Sequence, residues 1–375
     1  MLKRINLQTE RDKGSALLEV QNALEAGKLV VLPTETVYGV AALASNENAV
    51  KRLLTAKGRA GDKPCTVAIH GLDMLKELVP ELTPFQQRLA RRCWPGPITI
   101  VIPVKQFERF GDRLPENVKK AIISTDGKDV SVGFRVPNHP FTLELLKSLN
   151  EPIILSSANK SGEGDCFEPD EIAKSLGNTI DIIVEDGSVK DHKPSTVVFV
   201  GNSNYSILRE GALSSGVIER LTAKIIIFVC TGNTCRSPMA EVLCRAMIAK
   251  KLGCPVDEVE KRGYVILSAG IAASDQSPAS TGAQEAIRNR GLSLIDHLSQ
   301  PLNETHIRFA DKIYTMTRSH REAILSLWPE ADTRLTVLRT DDGDIADPYG
   351  GNLAQYENCA QQIERELIKR SGELG

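Results

Sequence analysis

A cysteine and an arginine bracket a short polar loop in the second half of the chain. The segment from Val229 to Pro238 reads Val-Cys-Thr-Gly-Asn-Thr-Cys-Arg-Ser-Pro, between a strand-like run and a helix-like pattern. Such a loop directs backbone N–H groups and a helix N-terminus at one point, which forms a receptor for a phosphoryl dianion and favours a thiolate. The pattern therefore predicts Cys230 as nucleophile, Arg236 as phosphate clamp and Ser237 as the cap of the helix.

The leaving group also needs a proton, and a turn far away in the sequence supplies a candidate donor. The segment Asp347–Gly350 reads Asp-Pro-Tyr-Gly, and we predict that Asp347 is the general acid at the same strand ends. Cys235 lies within the polar loop, where it either forms a protective disulfide with Cys230 or simply packs.

The elements around this loop predict a parallel, doubly wound sheet. Ile225–Val229 is a short apolar run typical of a buried strand, and strand and helix patterns then alternate up to a final helix near Ala354–Arg370. Five apolar residues of the helix after the loop share one face: Met239, Val242, Leu243, Ala246 and Met247.

These features together resemble the low-molecular-weight protein-tyrosine phosphatase family. The matching segments are Val229–Glu241, Ser268–Gly270, Asp311–Met316 and Asp347–Gly350. The resemblance implies a reaction through a cysteinyl-phosphate on Cys230, without a cofactor or a metal. It also implies that Asn233 fixes the loop, that Ser237 donates to the sulfur, and that Asp347 acts as acid and then base.

Two details resemble the bacterial protein-arginine phosphatases within that family. Thr231 follows the nucleophile where tyrosine-specific members commonly have an aliphatic residue, and Tyr349 alone follows Asp347-Pro348 where those members often have two aromatics. Phosphoarginine is therefore the favoured substrate, with phosphotyrosine as the alternative. An arsenate reductase would need relay thiols, and the chain has no cysteine between Ala272 and Asn358. A module that only recognises phosphoproteins would not need both Cys230 and Asp347.

The first half of the chain carries polar residues and cations beside strand-like segments. They include Thr34 after a strand, Lys57 and Arg59 at a helix end, and Ser157 and Asn159 after another strand. Such groups suit an anionic nucleotide held by charges and hydroxyls. We find no arrangement there for covalent or metal chemistry, so catalysis by positioning is expected.

In combination, these segments resemble the YrdC-like threonylcarbamoyl-AMP synthase family from about Gly14 to Ala212. The matching segments are Pro33–Gly39, Lys57–Arg59, Pro95–Pro97, Gly133–Pro137, Ser156–Asn159, Ser195–Val198 and Arg209–Gly211. The family joins L-threonine, bicarbonate and ATP into threonylcarbamoyl-AMP and pyrophosphate for tRNA modification. The resemblance implies threonine contacts by Thr34, Arg59 and His70, and ATP contacts, with Mg²⁺ on the phosphates, by Lys57, Ser157, Asn159, Ser195 and Arg209.

The first unit also departs from the family pattern. Ala60 replaces a common proline, Leu155 a small residue, and Phe199 stands where many members have an acid. A non-catalytic tRNA-binding or regulatory module is therefore the alternative for this unit. The implied partners are a downstream tRNA-modifying transferase and, as a further candidate, tRNA itself; phosphoproteins are the partners of the second unit.

Length and composition agree with two globular units. The chain has 375 residues, 41% hydrophobic and 25% charged, with a net charge of −2 and 8 scattered cysteines. These values argue against a global nucleic-acid-binding charge and a disulfide scaffold, and no apolar run reaches a membrane span, so we expect a cytosolic protein. The predicted α/β domains are residues 1–213, a YrdC-like twisted mixed sheet with helices, and 224–375, a doubly wound parallel sheet, joined by a linker at 214–223.

Overall fold

The computed structural model describes residues 2–10, 12–58, 64–104, 114–126, 129–149, 151–160, 162–164, 166–189, 193–274, 276–341 and 343–374. The chain divides into two compact units, Met1–Leu221 and Thr222–Gly375. Among the described residues, no helix is both long enough and apolar enough to cross a bilayer.

The first unit is a mixed sheet covered by helices. Its described strands are β1 (Lys3–Asn6), β2 (Val30–Leu32), β3 (Gly39–Leu43), β4 (Thr66–Ala68), β5 (Ile98–Pro103), β6 (Ile123–Asp126), β7 (Asp129–Arg135), β8 (Ile153–Ser157), β9 (Ile182–Glu185), β10 (Thr196–Val200) and β11 (Tyr205–Arg209). Its described helices are α1 (Lys13–Glu25), α2 (Glu47–Ala56), α3 (Leu72–Leu78), α4 (Pro84–Cys93), α5 (Glu116–Ile122), α6 (Pro140–Ser148), α7 (Pro169–Leu176) and α8 (Ser215–Thr222).

Long-range pairing brings the polar strand ends of the first unit together. The strand order is β1-β9-β2-β3-β8-β4-β7-β5-β10-β11, and β6 pairs with β7. β3 and β8 are antiparallel, with Gly39 opposite Ser157, and a Cβ on Gly39 would lie only 2.6 Å from Leu155 Cδ1, so a larger residue there would force this leucine to move. Buried apolar residues cover both faces of the sheet.

The second unit is a parallel α/β sheet, as predicted. Its described strands are β12 (Lys224–Cys230), β13 (Tyr264–Gly270), β14 (Lys312–Thr315) and β15 (Leu335–Val337), in the order β13-β12-β14-β15. Its described helices are α9 (Arg236–Leu252), α10 (Thr281–Arg288), α11 (Glu304–Phe309), α12 (Arg318–Leu327), α13 (Leu353–Lys369) and α14 (Ser371–Leu374), with 3₁₀ turns at Val256–Glu258, Glu260–Arg262 and Pro329–Arg334. β13 lies on one side of β12 and β14 on the other, so the strand order reverses at β12, and a ligand site is expected at such a switch point.

Two local structures differ in detail from the sequence pattern. Residues 214–223, predicted as a linker, are largely the helix α8, and Ile218 of this helix is buried in the core of the first unit. The predicted capping of α9 by Ser237 is wrong, because α9 begins at Arg236 with Cys235 as its N-cap residue. The hydroxyl of Ser237 is instead used at the sulfur of Cys230.

Candidate active sites

A buried lysine holds Ser157, which lines the pocket in the first unit; Lys57 and Asn159 are not themselves among the lining residues of the described chain. Lys57 follows α2, is 2% exposed, and reaches the loop after β8. Its Nζ donates to Ser157 O at 2.5 Å, to Asn159 Oδ1 at 3.0 Å and to Asn159 O, and lies 3.3 Å from Ser157 Oγ. Ser157 Oγ donates to Asn159 Oδ1 at 2.6 Å. Three residues predicted to bind ATP are therefore joined in one network.

Two further predicted ATP contacts form a second group at the pocket. Arg209 Nη2 donates to Ser195 O at 2.7 Å and lies 3.4 Å from Ser195 Oγ, which is 3.1 Å from Thr99 Oγ1. Ser157, Ser195 and Arg209 all line the same cavity, so the β8 and β10 ends of the sheet face one space.

The predicted threonine contacts occupy different surroundings. Thr34 lines the cavity, and its Oγ1 donates to Val37 O at 2.6 Å, so the hydroxyl also holds the turn after β2. His70 is partly buried after β4 and is not among the residues that line the cavity within the described chain. Arg59 lies outside the described residues.

The cavity also contains an arginine that our set of predicted contacts lacks. Arg135 ends β7, is buried, and donates through Nη2 to Thr36 Oγ1 at 2.6 Å and to Glu35 Oε1 at 3.0 Å. Its Nε is buried and has no hydrogen-bond partner among the described residues. The pattern Gly133–Pro137 marked this strand end, but only the sheet register shows that Arg135 faces the pocket.

The second site is built on the loop between β12 and α9. Cys230 ends β12 and is buried, with its Sγ 2.9 Å from Ser237 Oγ and accepting from the Asn233 N–H at 3.3 Å. No hydrogen bond occupies the backbone N–H groups of Gly232, Thr234 and Cys235 within the described parts of the chain. Unpaired N–H groups at a helix N-terminus bind anions, so this loop is suited to a phosphoryl group.

Asn233 holds the loop in shape. Its backbone adopts the left-handed region at φ 54°, which asparagine tolerates better than most residues. Its Nδ2 donates to Ser237 Oγ and Ser268 Oγ, both at 2.9 Å, and its Oδ1 accepts from the Gln300 N–H at 2.9 Å. The predicted support residues Asn233 and Ser237 are therefore both connected to Cys230.

The predicted clamp and the predicted acid are in contact. Arg236 is buried and donates through Nη2 to Asp347 Oδ2 at 2.5 Å, and its Nη1 is 3.4 Å from Ile345 O. The Arg236 Nε has no partner among the described residues, although it is buried. Asp347 is half exposed, so its carboxyl group lies at the border between the loop and solvent.

A histidine that sequence reasoning missed lies beside the loop. Thr231 Oγ1 is 2.9 Å from His320 Nε2, and His320 is 4% exposed near the start of α12. Burial lowers the pKa of His320 to about 4; the charge of Arg236 adds to this effect, while Asp347 and Asp344 oppose it. The imidazole is therefore neutral at pH 7. The only feature of the sequence that marks His320 is its place in the first turn of a helix that Thr317 can cap.

The other cysteines near this site are buried free thiols. Cys235 is a free thiol, and its Sγ lies 3.2 Å from Ser280 Oγ and 3.7 Å from Tyr356 OH. Burial raises the pKa of Cys359 and of Cys244 to about 12, which keeps both sulfurs protonated. Such thiols are poor nucleophiles.

The two sites define two kinds of enzyme scaffold: a pocket of cations and hydroxyls on a mixed sheet, and a cysteine phosphate loop on a parallel sheet. The family described as telomere recombination, Sua5/YciO/YrdC, matches residues 22–211, and the low molecular weight phosphotyrosine protein phosphatase family matches residues 225–374. The chain belongs to the Sua5/YciO/YrdC family through its first unit and to the low molecular weight phosphatase family through its second.

Curated relatives divide in the same way. The chain is similar to a threonylcarbamoyl-AMP synthase from Pyrococcus abyssi, with 36% identity over 204 residues that cover 54% of this chain and 56% of that protein. It is also similar to a protein-arginine-phosphatase from Geobacillus stearothermophilus, with 36% identity over 152 residues that cover 40% of this chain and 93% of that protein. The chain thus spans about half the length of the synthase and nearly all of the phosphatase.

A solved structure supports the fold. A double variant of Sua5 from Pyrococcus abyssi superposes with a TM-score of 0.52 and 24% identity, over 84% of this chain and 99% of that one. This similarity confirms the α/β architecture.

Proposed function

We propose that the first unit makes threonylcarbamoyl-AMP and pyrophosphate from L-threonine, bicarbonate and ATP, for threonylcarbamoyl modification of tRNA. The proposal is supported by the relative named above and by the cavity between the Lys57–Ser157–Asn159 network and the Arg209–Ser195 pair. Two arginines, Arg135 and Arg209, and several hydroxyls line this cavity and suit a polyphosphate. No feature of the described residues favours a module that only binds tRNA.

The proposed reaction has two steps. The threonine nitrogen attacks the carbon of bicarbonate, and loss of water leaves a carbamate. A carbamate oxygen then attacks the α-phosphorus of ATP, the bond to the bridging oxygen of the β-phosphate breaks, and pyrophosphate leaves. Lys57, Ser157, Asn159, Ser195 and Arg209 would hold ATP, while Thr34, Arg59 and His70 would hold threonine. Buried Arg135 lines the same cavity and would be a further cation beside the reactants.

Magnesium enters this proposal as part of the MgATP substrate. Groups of three or more metal-binding side chains are absent from the described residues, and the carboxylate of Glu35 already pairs with the cavity residue Arg135. Phosphate oxygens and water would therefore supply most of the magnesium ligands.

The test is pyrophosphate release by the full chain. We expect release only when threonine, bicarbonate and ATP are all present, and at least tenfold less release from Arg209→Ala, which loses a cation at the cavity. Release that needs neither threonine nor bicarbonate would contradict the synthase proposal, and salt-sensitive tRNA binding without turnover would favour the alternative module.

We propose that the second unit dephosphorylates phosphoproteins, with phosphoarginine favoured over phosphotyrosine, without a cofactor. The observation that carries this proposal is the Cys230 sulfur at 2.9 Å from Ser237 Oγ, beside a buried Arg236 that contacts Asp347. Hydrogen bonds from the loop to the sulfur, and loop N–H groups free to bind an anion, suit this site to accept a phosphoryl group.

The Cys230 thiolate would attack phosphorus while the bond from phosphorus to the arginine nitrogen breaks and Asp347 protonates that nitrogen. Asp347 would then take a proton from water, the water oxygen would attack phosphorus, and the phosphorus–sulfur bond would break to release phosphate. Arg236 would hold two equatorial oxygens in both steps.

The test is a comparison of two peptides of the same sequence that carry phosphoarginine or phosphotyrosine. We expect the full chain to have the higher kcat/KM for phosphoarginine, and Cys230→Ser to have no activity on either. A higher value for phosphotyrosine would support the alternative subclass.

A further inference from the structure

A buried neutral imidazole holds the hydroxyl that follows the nucleophile. Thr231 is exposed at the mouth of the phosphate loop, whereas His320, whose Nε2 lies 2.9 Å from its Oγ1, is almost fully buried. Thr231 begins the loop after β12, and His320 lies in the first turn of α12, the helix that follows β14; β12 and β14 pair in parallel. Because parallel strands end at the same sheet edge, this contact is a consequence of the topology.

The backbone that carries the imidazole is restrained. The backbone N–H of His320 donates to Thr317 Oγ1 at 3.2 Å, a contact that caps α12, and the backbone N–H of Arg318 donates to Asp344 Oδ1 at 2.9 Å. Thr231 is also anchored through its carbonyl, which accepts from the Ala272 N–H at 3.0 Å. Both ends of the Thr231–His320 contact therefore sit on restrained backbone.

The direction of the hydrogen bond between His320 and Thr231 follows from the surroundings of the other ring nitrogen, Nδ1. His320 Nδ1 is buried and has no partner among the described residues. A buried N–H without a partner is rarer in proteins than a buried acceptor without one. We therefore assign the proton of the neutral ring to Nε2, which donates to Thr231 Oγ1. The Thr231 hydroxyl then keeps its own proton and one lone pair for a ligand at the mouth of the loop.

We propose that His320 is a positioning residue that orients the Thr231 hydroxyl toward the leaving group and thereby favours a guanidinium over a phenyl ring. The inference rests on the proposed phosphatase function. A guanidinium carries N–H donors that an oriented hydroxyl can accept, whereas a phenyl ring gains more from apolar walls. Without His320, the Thr231 hydroxyl would rotate freely and would lose rotational entropy when the substrate binds.

The experiment measures kcat/KM on the paired phosphoarginine and phosphotyrosine peptides with the full chain. We expect His320→Phe to lose about tenfold on phosphoarginine, the equivalent of one neutral hydrogen bond, and less than about twofold on phosphotyrosine. His320→Gln, which retains a donor, should recover most of the loss. In a Thr231→Val background, His320→Phe should have no further effect on the ratio.

Two results would overturn the inference: an equal loss on both peptides, or an unchanged loss in the Thr231→Val background, since each would indicate a structural role. Imidazole nitrogen NMR on the full chain tests the same contact without turnover. We expect an Nε2–H tautomer for His320 that exchanges faster with water in Thr231→Val; an Nδ1–H tautomer in both proteins would contradict the assignment. The wild-type preference between the peptides tests the proposed function separately.

Discussion

Substitution of Asn233 by alanine tests whether one side chain holds the phosphate loop. The alanine would leave the Gln300 N–H without an acceptor, and it would remove both donors to Ser237 and Ser268. An unpaired buried N–H costs about 1–3 kcal/mol. Alanine at φ 54° adds about 1 kcal/mol of backbone strain. The two serine hydroxyls keep other partners, Ser237 with Cys230 Sγ and Ser268 with Glu241 Oε2, so we expect the free energy of unfolding of the second unit to fall by about 3 kcal/mol.

Asn233→Gly is the matched control for the backbone contribution. Glycine loses the same side-chain hydrogen bonds but adopts the left-handed region without strain, at the cost of greater chain entropy in the unfolded state. We therefore expect Asn233→Gly to be more stable than Asn233→Ala by about 0.5–1 kcal/mol.

The assay is urea unfolding of the full chain, followed by tryptophan fluorescence. The chain has 2 tryptophans, Trp94 in the first unit and Trp328 in the second. In a Trp94→Phe background, Trp328 reports the second unit alone. A loss below about 1 kcal/mol for Asn233→Ala, or an Asn233→Gly variant less stable than Asn233→Ala, would refute the structural role that we assign to Asn233.

Three further predictions concern other parts of the two sites. The pKa of His320 is about 4 in the folded protein and 6.5 in the unfolded chain, so the unfolded chain binds a proton first as the pH falls. The second unit should therefore lose up to about 3 kcal/mol of its free energy of unfolding between pH 6.5 and pH 4. Urea unfolding of His320→Phe should lack this part of the loss. Thr231→Ile should shift the kcat/KM ratio from phosphoarginine toward phosphotyrosine, and an unchanged ratio in the peptide comparison would contradict the subclass. Lys57→Met should lower the stability of the first unit by about 2–3 kcal/mol, since it removes the donor to buried oxygens of Ser157 and Asn159. Trp94 fluorescence measures this loss in a Trp328→Phe background. A change below about 0.5 kcal/mol would contradict the role of the Lys57–Ser157–Asn159 network.

The phosphate loop was predictable because its parts are close in sequence. A strand, a left-handed turn and a helix N-terminus within residues 229–238 are enough to aim N–H groups at one point, and Cys230, Asn233 and Ser237 do make contacts there. The capping role of Ser237 was wrong, since its hydroxyl meets the sulfur instead of the helix N–H groups.

Contacts that depend on strand order could not be read from the sequence. β1 pairs with β9 across 179 positions, from Lys3 to Ile182, and its short segment carries no clear alternation. Likewise, His320 reaches Thr231 from 89 positions away, through the parallel pairing of β12 and β14. Arg135 was visible as a strand-end cation, but the face it presents follows from the register of β7 with β5 and β4.

The claim that this chain has two independent active sites is tested most directly by crossed variants of the full chain. Cys230→Ser should lose phosphatase activity by at least about 10⁴-fold and keep threonine- and bicarbonate-dependent pyrophosphate release within twofold of wild type. Arg209→Ala should show the opposite pattern. If either substitution abolishes both activities, or if the wild-type chain has neither, the account of two separate sites is wrong.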